Sequence, residues 1–72
     1  MFAVYADVLD DGAFKHLGAK RTRAAFAVRS AAVAYLDALV ARRTPAAGYD
    51  DQQAVWWLQE NGRLTRYTIG AV

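Results

Sequence analysis

The chain has 72 residues, enough for one small domain with a limited hydrophobic core. Its formal net charge is only +2, and it has no cysteine, which excludes disulfides and thiolate metal sites. No apolar run approaches the roughly 18 residues of a membrane-spanning helix, and Met1 to Tyr5 carries no charged leader. We therefore expect one domain over residues 1–72, located in the cytoplasm and without a membrane partner.

The first segment, Phe2 to Leu9, alternates with the period of a β-strand. Phe2, Val4, Ala6 and Val8 share one face, and Ala3, Tyr5, Asp7 and Leu9 share the other. Asp10-Asp11-Gly12 then predicts a turn that ends the strand. The stretch from Ala13 to Arg21 has no clean period, so it is either a second strand or a long basic loop.

Positive charge is concentrated in the first half of the chain. From Gly12 to Leu36 there is no acidic residue, and five basic residues occur: Lys15, Lys20, Arg21, Arg23 and Arg29. Aspartate pairs lie on both sides, at Asp10-Asp11 and Asp50-Asp51. Such segregation indicates a basic patch that faces an anionic surface, and the alternative is a solvated segment that contacts nothing.

The middle of the chain allows two interpretations. Either Arg23 to Val28 is a strand, or a helix begins at Thr22 and runs through it. A continuous helix would place Arg29 within the apolar arc, so we favour a strand followed by a helix. That helix should run from Ala31 to about Arg43, with Ser30 as its N-cap. Pro45 ends it, and Thr44 to Gly48 is a short connector.

The last third of the chain predicts a β-hairpin. Asn61-Gly62 is a strong signal for a two-residue type I′ turn, which fixes the register of both arms. One face should pair Glu60 with Arg63, Leu58 with Thr65, Trp56 with Tyr67 and Ala54 with Ile69. The other should pair Gln59 with Leu64, Trp57 with Arg66 and Val55 with Thr68. The first face is nearly all apolar, so Trp56 should point to the core and Trp57 away from it.

These elements predict an α+β fold. An antiparallel sheet of about four strands, in ββαββ order, should pack one helix on one of its faces. Alanine buries little area, so the larger apolar side chains should form most of the core. These are Phe2, Val4, Val8, Phe26, Val28, Val33, Leu36, Leu39, Val40, Trp56, Leu58, Tyr67 and Ile69.

Catalytic groups are scarce in this sequence. His16 is the only histidine and Ser30 the only serine, and Ser30 is better used at the start of the helix. The two aspartate pairs lack the spacing of a cation-binding loop, and no glycine-rich phosphate loop occurs. We therefore expect a protein that is not an enzyme, with no cofactor and no metal site.

The sheet face opposite the helix is the better candidate for function. It should carry Tyr5, Trp57 and Arg66, together with Arg23 and Arg29, and tryptophan, tyrosine and arginine dominate binding hot spots. Trp57 beside Arg66 could also form a cation–π contact. With Lys15, Lys20 and Arg21, these residues are the predicted partner-binding set. The alternatives are direct binding of single-stranded nucleic acid, a homodimer whose sheets pack face to face over Trp57, and a sheet face that the Ala13–Arg21 connection simply covers.

The size and element order resemble those of several small phage-encoded anti-CRISPR proteins. The Phe2–Leu9 strand, the Ala24–Val28 strand, the Ser30-capped helix and the hairpin containing Asn61-Gly62 carry this resemblance. Some proteins of that class are single α+β domains that bind a CRISPR surveillance complex and block target DNA. The resemblance implies a non-catalytic inhibitor that acts through surface contacts on a nucleoprotein complex, and it assigns no functional residue.

Overall fold

The computed structural model describes residues 1–10, 15–16, 21–43 and 45–72. It confirms the predicted α+β fold, in which one helix packs on one face of an antiparallel sheet. The elements are β1 (Phe2–Asp10), β2 (Lys15–His16), β3 (Arg21–Phe26), α1 (Arg29–Ala41), β4 (Ala47–Asp50), β5 (Val55–Glu60) and β6 (Arg63–Ala71). The strand order is β2-β1-β6-β5-β4, and β3 also pairs with β1.

Strand β1 lies inside the sheet because it is paired on both sides. It pairs with β6 along its whole length, from Phe2 opposite Ala71 to Asp10 opposite Arg63. On its other side β3 pairs with its first half and β2 with its last two residues. The strand predicted over Arg23–Val28 is therefore present, although it occupies Arg21–Phe26, and the alternative of a helix from Thr22 is wrong.

The β5–β6 hairpin has the predicted register. Its pairs are Trp56 with Tyr67, Trp57 with Arg66, Leu58 with Thr65, Gln59 with Leu64 and Glu60 with Arg63. Asn61 and Gly62 have φ values of 54° and 74°, as a type I′ turn requires. The two pairs expected before Trp56 are not formed. The β5–β6 pairing begins at Trp56, so Val55 does not pair with Thr68. Ala54 lies in the preceding turn with a φ of 54°, so it does not pair with Ile69.

The helix begins earlier than predicted. It starts at Arg29, and its N-cap is Val28, whose backbone is extended and makes no side-chain capping bond. Ser30 therefore lies within the first turn, and its prediction as the N-cap is wrong. Val28 was also expected in the core, but it is 55% exposed because it links the end of β3 to the helix over the surface.

The core lies between α1 and the sheet. Val4, Ala32, Leu36 and Trp56 are its fully buried residues, and Phe26, Val33, Leu39, Val40, Tyr67 and Ile69 pack around them. The indole Nε1 of Trp56 donates a hydrogen bond of 2.8 Å to Asp37 Oδ1 on the helix. The Tyr49 ring lies against the same indole, with 4.5 Å between ring centroids.

Strand β4 was not predicted. Ala47 and Gly48 had been assigned to a connector, whereas they form β4 with Tyr49 and Asp50 and pair with β5. Thr44, at the start of that connector, lies outside the described residues. A strand of four residues that includes a glycine has too few side chains to show an alternating pattern.

Among the described residues, α1 is too short to span a membrane, and no longer apolar helix is present.

Replacing Gly62 with alanine tests the turn through its backbone alone. A Cβ atom at this position meets nothing within 4 Å, so only the positive φ disfavours alanine. We expect Gly62→Ala to lower the free energy of unfolding by about 1 kcal/mol. For a domain of this size the melting temperature would fall by roughly 4–8 °C. An unchanged melting temperature in a thermal scan would contradict the assigned turn.

Removing the acceptor at Asp37 tests the bond between helix and sheet. Trp56 is 2% exposed, so Asp37→Ala leaves its indole N–H poorly solvated and without this acceptor. We expect a loss of roughly 1–3 kcal/mol in urea unfolding. Asp37→Asn keeps a side-chain oxygen and is the matched control, with less than half of that loss. Equal losses in both variants would show that the hydrogen bond is unimportant.

Candidate functional site

The sheet face that points away from α1 is called here the open face. Val4 and Trp56 belong to the core beneath the helix, so their neighbours along each strand point to the opposite side. The open face therefore carries Tyr5 from β1, Trp57 from β5 and Arg66 from β6. These three predicted contact residues do share one face, and each is partly buried.

Four residues in a row cross the open face perpendicular to the strands. Gly48 lies opposite Trp57, Trp57 opposite Arg66, and Arg66 opposite Asp7. This cross-strand row spans β4, β5, β6 and β1. Residues directly opposite each other have Cβ atoms only about 4.5–5.5 Å apart, so the row is one continuous set of contacts.

The Trp57 indole lies over the backbone of Gly48. A Cβ atom built on Gly48 would be 3.0 Å from Cζ2 and 3.1 Å from Cε2 and Nε1 of that ring. Three consecutive ring atoms at nearly equal distance from this position show that the indole packs closely against the glycine. An aromatic ring that covers a strand glycine replaces the missing side-chain packing. The ring of Trp57 is therefore held in place by the fold itself.

Tyr5 and Gly70 repeat this arrangement on the neighbouring strands. A Cβ atom on Gly70 would lie 3.0 Å from Cε2 of Tyr5. Gly70 is opposite Ala3 in the β1–β6 pairing, so the Tyr5 ring leans along its strand toward this gap. The rings of Trp57 and Tyr5 thus both pack against strand glycines, and the sequence analysis did not predict these contacts. The available signal was a glycine inside a strand, which often marks a close approach.

Arg66 is fixed by an ion pair within the cross-strand row. Its Nη2 donates to Asp7 Oδ2 over 3.1 Å. The Asp7 side chain is only 7% exposed, whereas that of Arg66 is 38% exposed. The arginine therefore compensates a buried carboxylate while part of it stays accessible. The expected cation–π contact with Trp57 is not among the ring contacts of the described residues, because Arg66 pairs with Asp7 instead.

The predicted basic residues do not all join this surface. Arg29 lies exposed at the start of α1, so its expected position on the sheet face is wrong. Lys15 is opposite Asp10 and Arg21 is opposite Ala6. Arg23 falls at the β-bulge between Val4 and Tyr5, with no residue of β1 directly opposite. Lys20 lies outside the described residues.

The residues suited to catalysis remain separate in sequence and structure. Ser30 is exposed in the first turn of α1, whereas His16 belongs to β2 at the other end of β1. Among the described residues, no group of three histidine, cysteine or acidic side chains is placed to hold a metal ion. The absence of enzymatic activity stays a prediction from the sequence.

A concavity lies at the tip of the β5–β6 hairpin. It has a volume of about 410 Å³ and is lined by Val8, Glu60, Asn61, Arg63 and Thr65. Glu60 also forms an ion pair with Arg43, which ties this end of the sheet to the chain after the helix. This groove contains none of the predicted contact residues and is separate from the cross-strand row.

Replacing Gly48 with alanine tests the seat of the Trp57 ring. The new methyl group needs space that the indole occupies, so we expect the ring to move. The Nε1–H resonance of Trp57 should then shift in NMR spectra, while that of the buried Trp56 stays in place. Gly62→Ala is the matched control, since nothing lies near its Cβ position. An unmoved Trp57 resonance in Gly48→Ala would contradict the seated ring.

Comparison with protein-family models, with curated proteins and with solved structures found no match to this chain. Indications of function therefore come from its own residues and their arrangement.

Proposed function

We propose that the chain is a non-catalytic binding module that contacts a protein or nucleoprotein partner through the open face. The observation that carries this proposal is the cross-strand row, in which a seated indole lies next to a partly exposed arginine. Tyr5 extends the same surface toward β1. Tryptophan, tyrosine and arginine are the residues that most often dominate the energy of protein interfaces.

Rigidity of these side chains supports the proposal. Binding normally costs about 0.5–1.5 kcal/mol for each flexible side chain that becomes fixed. Trp57 rests on Gly48 and Arg66 is held by Asp7, so part of this entropy is lost already on folding. A surface with fixed aromatic and cationic groups binds more tightly than the same groups on a mobile loop.

The more specific proposal is inhibition of a nucleoprotein complex. Lys15 in β2 and Arg21 and Arg23 in β3 provide positive charge on the strands that pair with β1. The resemblance to anti-CRISPR proteins suggests a CRISPR surveillance complex as the partner. An inhibitor that occupies a nucleic-acid site needs positive charge, and it does not need to read bases. The low net charge of +2 suits such local contact better than extended binding along phosphates.

Direct binding of single-stranded nucleic acid is the second candidate. The specific observation in its favour is that the Trp57 indole packs against Gly48 and is only partly buried, so part of the ring stays accessible. Such rings stack unpaired bases without regard to sequence, at roughly 1–3 kcal/mol per base.

Removing the Trp57 ring separates the two candidates. A fluorescein-labelled single-stranded oligonucleotide is titrated at low and at moderate salt. The protein-partner proposal predicts no binding in either buffer. In parallel, immobilised wild-type protein should retain a purified surveillance complex, and Trp57→Ala should weaken that binding at least tenfold, because the ring supplies a hot spot.

Two control variants complete this experiment. Ala38→Ser changes an exposed residue of α1 and should bind like the wild type. Trp57→Phe keeps an aromatic ring and should retain much of the affinity. Salt-sensitive oligonucleotide binding that Trp57→Ala abolishes would favour the nucleic-acid candidate. Full binding of the complex by Trp57→Ala would refute the open face as the contact surface.

A further inference from the structure

Strand β4 forms one edge of the sheet, and no other described strand pairs with its outer side. The backbone N–H of Gln59 donates to the carbonyl oxygen of Ala46, so these two residues are a hydrogen-bonded pair. In an antiparallel ladder such pairs recur at every second residue. Gly48 and Asp50 therefore bond to β5, while the N–H and C=O groups of Ala47 and Tyr49 point outward.

The charges around β4 are complementary to those of a second copy. Arg42 and Arg43 precede the strand, whereas Asp50 and Asp51 lie at and just after its end. Antiparallel pairing of two β4 strands would bring the basic end of each beside the acidic end of the other. Arg43 already pairs with Glu60, so the exposed side chains of Arg42 and Asp51 are the ones available for this contact.

We infer that the chain forms a twofold-symmetric dimer in which the two β4 strands pair edge to edge. Because Ala47 and Tyr49 point outward, each Ala47 exchanges hydrogen bonds with Tyr49 of the second copy. This register places the two Gly48 residues opposite each other on the twofold axis. A symmetric interface of this kind is closed, so pairing ends at two copies.

The side chains beside the edge fit this register. Gly48 has no side chain, so the two Trp57 indoles, each resting on its own glycine, can approach each other across the axis. On the other face Tyr49 is 46% exposed and would lie opposite Ala47 of the second copy. Asp50 would lie opposite Ala46, so no like charges face each other. The edge has outward backbone groups and no charged residue at its centre, which favours pairing. Ala47 is only 7% exposed and its side chain lies on the α1 side of the sheet, so its contact with the second copy is limited to its outward N–H and C=O groups.

This dimer is independent of the proposed partner binding. It uses the edge of the sheet, whereas the proposed function uses the open face. Dimer formation would place two copies of the cross-strand row side by side on one continuous sheet.

Two charge-reversal variants, measured alone and as a mixture, test the dimer. Sedimentation equilibrium of the wild-type protein should show a species of twice the 7.9 kDa monomer mass as concentration rises. Arg42→Asp and Asp51→Arg each place like charges at both contacts, so each should raise the dimer dissociation constant at least tenfold. An equimolar mixture of the two variants restores opposite charges at both contacts and should dimerise like the wild type.

Net charge provides an internal control for this test. Arg42→Asp lowers the formal charge from +2 to zero, so nonspecific repulsion between copies decreases. Weaker dimerisation of this variant therefore indicates the specific contact. A wild-type protein that stays monomeric at millimolar concentration would overturn the inference. So would a mixture that dimerises no better than the separate variants.

Amide hydrogen exchange locates the interface. On concentrating the wild-type protein, exchange at the amides of Ala47 and Tyr49 should slow at least tenfold, since these N–H groups become paired. The amides of Gly48 and Asp50 already bond within the monomer and should change little. A dimer in which Ala47 and Tyr49 exchange at unchanged rates would show that another surface is used, and would overturn the edge-to-edge arrangement.

Discussion

The two-residue turn at Asn61-Gly62 is the constraint on which the rest of this structure depends. Side chains alternate along a strand, so a shift of one residue would exchange every inward and outward position of the hairpin. The positive φ values at both turn residues set the register that sends Trp56 toward α1 and Trp57 to the open face. A register shifted by one residue would place Trp57 instead of Trp56 under the helix.

The two tryptophans then act on opposite sides of the sheet. Trp56 fills the core and fixes the helix through Asp37, whereas Trp57 fills the gap above Gly48. Among the described residues, α1 packs on one face of the sheet, and side chains of the strands stabilise the other face. The rings seated on glycines and the ion pair between Arg66 and Asp7 provide this. The same contacts that stabilise the open face also hold the proposed binding groups in position.

The elements with a clear local pattern could be predicted from the sequence. The alternation of Phe2–Leu9 and the Asn61-Gly62 turn specify their own geometry, because hydrophobic burial and backbone sterics act locally there. Strand β4 could not be predicted, since Ala47 and Gly48 gain their strand conformation by pairing with Leu58 and Trp57. Tertiary pairing also decided the helix start: β3 ends at Phe26, and the chain enters the helix at Arg29 before Ser30 can cap it.

The candidate site was predictable to a similar degree. The alternation of side chains along each strand placed Tyr5, Trp57 and Arg66 on one face. The ion pair between Arg66 and Asp7 joins residues 59 positions apart, and nothing in the sequence pattern predicts it. Arg29 was assigned to the sheet face because the strand was extended past Phe26. The bulge between Val4 and Tyr5 also changes which β3 residues lie opposite β1. Such irregularities depend on both strands, so one strand's sequence does not reveal them.

Gly48 is the residue at which the two proposed surfaces meet. It seats the Trp57 ring on the open face, and it lies at the centre of the edge strand. Any side chain at this position would displace the indole and would also crowd a second copy at the twofold axis. In the proposed dimer, the absence of a side chain leaves room both for the indole above the sheet and for a second copy at its edge. Glycine inside a strand also weakens it, so β4 is short and has little intrinsic tendency to form a strand.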